Sequence, residues 1–81
     1  MSAAPLDILE RLARCCDQLE NALRQPDRLP AETARTLAEC LTECRVILIE
    51  LALDYHAHAA ISSRTLQRIL DAQAQALLPA S

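Results

Sequence analysis

Leu9, Leu12, Cys16, Leu19 and Leu23 follow one another at alternating spacings of four and three. After a proline-bounded break the same rhythm returns as Leu37, Leu41, Cys44, Leu48, Leu51, Tyr55 and His58. Such spacing puts a series of side chains on one face of a helix, whereas a strand would need strict alternation. The chain is therefore expected to be all-α, as a single domain over residues 1–81. Ile8, Cys15 and Ala22 widen the first stripe, giving an amphipathic helix from about residue 5 to 25. Pro5 suits its first turn and Asp7 suits the positive end of its dipole.

The break reads PDRLP, from Pro26 to Pro30. Pro26 cannot continue the first helix, while Pro30 fits the start of a second with Glu32 in its first turn. The second helix is expected over about 31–59. A short connection between two helices makes them antiparallel neighbours, so the pair is expected to form a helical hairpin. No Gly or Pro occurs between Ala31 and Leu78. One unbroken helix there would be long for a compact domain, and a turn is expected near residues 59–63. Ser62 and Ser63 are both suitable N-caps for a third helix over about 63–78, with Leu66, Ile69, Leu70 and Leu77 on its apolar face. That helix can return along the hairpin as a three-helix bundle or lie apart and serve a partner. Both arrangements fit the pattern. Pro79-Ala80-Ser81 is expected to fray.

The second helix carries more apolar residues than one neighbour can cover. Val46, Ile47, Ile49 and Leu53 fall on other faces than the Leu41–Leu48–Leu51–Tyr55 seam. A helix that is apolar nearly all round is usually covered on more than one side. The chain has no Phe, Trp or Gly and Tyr55 is its single aromatic, so core volume comes from Leu, Ile, Ala, Val and Cys. A small domain without bulky rings is a candidate for completing its core by oligomerisation or against a partner. Val46, Ile47, Ile49 and Leu53 are accordingly the expected partner-binding residues.

Eight Arg stand against eleven Asp and Glu, for a net charge of −3, and the signs are interleaved. That pattern argues against a nucleic-acid surface, which would show as a basic stripe. The longest strongly apolar run, Val46–Leu53, contains Glu50 and is far too short to span a bilayer, so no membrane insertion is expected. The first residues lack the basic and apolar regions of a signal peptide, and a cytoplasmic location with reduced cysteines is expected. No glycine-rich phosphate loop exists. Ser62 and Ser63 have no histidine at a recognisable motif spacing, and a nucleophile elbow would normally need Gly. No catalytic residue and no cofactor are assigned, and the protein is expected not to be an enzyme.

Cys15, Cys16, Cys40 and Cys44 are the alternative focus. Folding helix one back on helix two is expected to bring Cys16 near Cys40, with Cys44 about one turn further from the connection. Three readings stand. Cys can serve as a small, buried apolar residue. The four thiols can hold zinc or Cu(I), although their spacing matches none of the common zinc patterns. They can also act in thiol redox chemistry. His56 and His58 lie on nearly opposite helix faces and cannot chelate together, while His58 is in line with Asp54 for a surface pair.

The order of features resembles the small helical chaperone partners of type III secretion systems, the SsaE- and PscE/YscE-like proteins. The likeness covers residues 6 to 60: "LENALRQPDRLP" stands at the polar break, and Glu39 to His56 matches a long apolar helix ending in Tyr55-His56. The four Cys and the lack of Lys and Gly depart from that pattern. The resemblance implies a cytosolic co-chaperone that pairs with a helical-repeat protein and keeps an export substrate, such as a needle subunit, from polymerising. It also implies that Leu41, Leu48, Leu51 and Tyr55 face the hairpin, leaving Val46, Ile47, Ile49 and Leu53 to the partner.

Overall fold

A computed structural model describes residues 4–77, which form three helices and no strand. Helix α1 is Pro5–Leu23, a 3-10 turn covers Pro26–Arg28, α2 is Ala31–Ala57 and α3 is Ser63–Leu77. The fold is all-α, as the stripes indicate, and the third helix packs back on the hairpin to make a three-helix bundle. The side chain of Leu77, the expected helix end at residue 78 and the expected fraying of Pro79-Ala80-Ser81 lie outside the described residues.

Helix α1 stops two residues before the expected position 25. Gln25 precedes Pro26, whose ring disfavours the helical conformation of the residue before it. The chain instead closes through Arg24 N–H to the Glu20 and Asn21 carbonyls, both at 3.2 Å, and Gln25 N–H to Ala22 O at 3.3 Å. Pro30 is extended (φ −59°, ψ 151°), and its carbonyl accepts from Ala34 N–H at 2.9 Å to open α2.

Helix α2 ends at Ala57, two residues before the expected 59, in a Schellman-type turn. Ala60 N–H donates to Tyr55 O at 2.8 Å and Ala59 N–H to His56 O at 3.0 Å. Ala59 takes the left-handed conformation, φ 59°. Glycine normally fills that position, and a Cβ there costs roughly 1–2 kcal/mol. This chain has no glycine to supply. Ser62 then caps α3: its Oγ accepts from Thr65 N–H at 3.1 Å, while its carbonyl accepts from Leu66 N–H at 3.0 Å. Of the two candidate caps, Ser62 is the one used.

Helix α3 turns back onto the hairpin. Leu66 and Ile69 pack with Leu12, Ala13, Leu51, Tyr55 and Ile61 around the buried Leu9, Leu48 and Ala52. The core is thin. The radius of gyration is 14.1 Å, against about 11.7 Å for a compact chain of this length. The extents of 43 × 35 × 14 Å describe a flattened body. Its accessible surface, 6139 Å², exceeds the roughly 4800 Å² expected of a folded monomer of 8.9 kDa. A bundle this open leaves apolar surface for something else to cover.

Candidate functional site

Position along α2 decides which of its apolar residues are used internally. Leu48, Ala52 and Arg45 are buried, and Leu41, Cys44, Leu51 and Tyr55 are half-buried beside them. These residues occupy one side of the helix. Both α1 and α3 pack there, so α3 does not cover the second face. Val46, Ile47 and Leu53 remain 42%, 53% and 46% exposed on the other side. Ile49, the fourth expected partner-binding residue, departs from them. It is half-buried, because it sits one turn from both Arg45 and Ala52 and so borders the packed side.

A second open apolar place lies between α1 and α3. A groove of about 190 Å³ is lined by Leu6, Leu9, Ala13, Leu48, Ile69 and Ala72, together with Glu10 and Arg68. Leu6 is itself 42% exposed. The groove exists because the two helices both rest on α2 without closing fully on each other.

Arg45 was not singled out by the stripes, yet it is the most constrained polar residue of the fold. It is only 4% exposed. One guanidinium nitrogen donates to Gln73 Oε1 at 2.9 Å and the other to Glu20 Oε2 at 2.9 Å. A single side chain on α2 thereby ties α1 to α3. Glu20 also accepts from Arg24 at 3.3 Å. No buried side-chain nitrogen or oxygen lacks a partner among the described residues. Its register carried a signal, since Arg45 stands three residues before Leu48 and seven before Ala52 and shares their face. Gln73, 5% exposed, carried the same signal, standing seven residues after Leu66 and four after Ile69 on the apolar face of α3.

The cysteines differ in burial. Cys16 is buried, Cys44 half-buried, and Cys15 and Cys40 exposed, all four being free thiols. Among the described residues no three of His, Cys, Asp and Glu stand together as metal ligands. Burial pushes the Cys16 thiol above its ordinary pKa, opposed by the Arg45 guanidinium and reinforced by Cys44, Asp17 and Cys15. Across the hairpin, the Cys44 thiol is thus near enough to Cys16 to disfavour its ionisation, while Cys40 is exposed. A buried thiol with a raised pKa is a poor nucleophile.

The histidines serve the α2–α3 corner. His56 Nε2 lies 2.9 Å from Ser63 Oγ, joining the end of α2 to the first residue of α3. Sequence spacing gave no hint of this, because the turn at Ala59 brings the two together. His58 Nδ1 donates to the Asp54 carbonyl at 2.9 Å and lies 3.7 Å from the Asp54 carboxylate, with both side chains exposed. That is the surface helix-end pairing expected of it.

No helix among the described residues is long and apolar enough to cross a membrane. No protein-family model matches the chain, and comparison with curated proteins and with solved structures gives no match.

Proposed function

We propose that the protein is a non-enzymatic helical docking module that receives another helix on the outer face of α2. The observation carrying this reading is the exposure of Val46, Ile47 and Leu53 on the side of α2 that α1 and α3 leave open. Completing the burial of these half-exposed side chains is worth about 2–4 kcal/mol in total. Association costs about 4–15 kcal/mol, so the three residues alone do not hold a partner. The interface needs the bordering Ile49 and the polar rim as well.

A type III secretion co-chaperone is the specific form of this reading suggested by the likeness over residues 6–60, and it rests on that likeness. A cytosolic location goes with it. The alternative is zinc, Cu(I) or redox chemistry at Cys15, Cys16, Cys40 and Cys44. Its support is that the Cys44 thiol lies close enough to the buried Cys16 to help raise its pKa.

The test is binding of a labelled amphipathic helical peptide, read by fluorescence anisotropy, alongside solution mass by light scattering. Ile47→Asp and Leu53→Asp are expected to weaken peptide binding or self-association while far-UV circular dichroism keeps its helix signal. Unchanged binding and mass in both folded variants would sink the reading.

A further inference from the structure

The five acidic residues of α2 are not scattered. Glu32, Glu39, Glu43, Glu50 and Asp54 recur at intervals of seven and four, and each is exposed. At about 100° per residue they occupy a sector of roughly 60°. Val46 and Leu53 border that sector on one side and Ile47 on the other. The outer face of α2 is therefore an acidic row set between two apolar edges.

Within α2 the row has little to answer it. Arg45 is turned inward to Glu20 and Gln73. Arg35 stands near the start of the helix, about three turns before Val46. Among the described residues one ion pair lies on the row, Asp54 with His58 at 3.7 Å, and it needs a protonated imidazole.

The row also decides against a second copy of this chain. In an antiparallel two-fold contact through Val46 and Leu53, each flank meets the same flank of its copy, so the acidic rows would lie side by side. A parallel contact would bring each row to the opposite flank. There Ala38, Ala52 and the inward-turned Arg45 present no exposed cation. Either pairing buries carboxylates without partners, which works against association.

We propose that the outer face of α2 receives an amphipathic helix of a different protein, one that carries Arg or Lys along the flank of its apolar stripe. Its apolar stripe packs on Val46 and Leu53, and its cations lie over Glu39, Glu43, Glu50 and Asp54. The aliphatic stems of those cations cover Ile47. This rests on the reading of that face as an interface and names the chemistry of its occupant.

The experiment uses the full chain and two labelled helical peptides with one shared leucine stripe, one flanked by arginine and the other by glutamate. The arginine-flanked peptide is expected to bind at least about tenfold tighter at low salt, with the preference shrinking as salt rises. The exposed charge reversal Glu43→Arg/Glu50→Arg, which leaves Glu39 and Asp54 to balance the two new cations, is expected to abolish the preference. Equal affinity for both peptides, lost in Val46→Asp/Leu53→Asp, would overturn the charge assignment and leave the docking face standing. A dimer that binds neither peptide and dissociates in Val46→Asp/Leu53→Asp would overturn it in favour of a second copy. A wild-type monomer that binds neither peptide would overturn both the assignment and the face. Circular dichroism of each variant separates lost binding from lost folding.

Discussion

Arg45 and Gln73 are 28 residues apart and meet at 2.9 Å inside the fold, which makes them a sharp test of how the third helix is held. Arg45→Met removes both guanidinium hydrogen bonds and leaves Gln73 Oε1 buried without a donor. A buried acceptor without a partner costs about 1–3 kcal/mol. The other half of the clamp counts for less. Glu20 is 36% exposed at its side chain and regains water when Arg45 is gone, so that ion pair is worth about 1 kcal/mol after screening. The sum is about 2–4 kcal/mol against a total stability of about 4–12 kcal/mol for a chain this long.

Gln73→Leu alone orphans part of the buried guanidinium and costs a similar 1–3 kcal/mol. The double variant Arg45→Met/Gln73→Leu replaces both partners with apolar groups, so no acceptor on α3 and no cation on α2 is left stranded. Replacing both members of a buried polar pair is often near neutral. The double variant is therefore expected to be more stable than the sum of the single losses implies, with a coupling of about 1 kcal/mol or more. Urea denaturation followed by far-UV circular dichroism measures all four proteins of the cycle. Losses that add to within about 0.5 kcal/mol would mean that Arg45 and Gln73 do not depend on each other, and the clamp reasoning would fall.

The turn at Ala59 offers a gain. Ala59→Gly relieves a left-handed alanine at roughly 1–2 kcal/mol, offset by the greater freedom of glycine in the unfolded chain at about 0.4–1 kcal/mol. The urea midpoint should rise by the equivalent of a few tenths to about 1 kcal/mol, and a fall would contradict the turn geometry. For the thiols, Cys15 and Cys40 should label quickly with an alkylating reagent while Cys16 labels only on unfolding, read by peptide mass spectrometry. Because the folded Cys16 pKa is raised above its ordinary 9.0, its contribution to stability is complete below that pH and is lost as pH rises through the folded value. Cys16→Ala should flatten that alkaline loss. Equal labelling rates for all four thiols would refute the burial of Cys16.

Three helices, the break at Pro26–Pro30 and the turn near residue 59 were legible because they are local. A stripe at three-four spacing, a proline and a capping serine each act within about one turn of themselves. The helix ends were less so. Both missed ends fell two residues short, one for the restriction Pro26 places on Gln25, the other because the chain reverses at Ala59. Of the four expected partner-binding residues, Val46, Ile47 and Leu53 are open, and Ile49 is half-buried only because of what packs beside it. The cysteines misled in a similar way. Heptad placement grouped four thiols but does not report burial: Cys16 is buried, Cys44 half-buried, and Cys15 and Cys40 are exposed to water.

By itself, then, the sequence determined that this is an all-α chain whose second helix has more apolar surface than one neighbour can cover. Periodicity reports which residues share a face, since that depends only on the geometry of the residues within a few turns. Tertiary structure decided which face is spent. Helix α3 lies on the same side of α2 as α1, held there by Leu66 and Ile69 on the core and by the Arg45 link between Glu20 and Gln73. Those contacts join residues 25 and 28 positions apart, beyond the reach of any local pattern. Their consequence is that Val46, Ile47 and Leu53 stay open, with the acidic row of α2 between them.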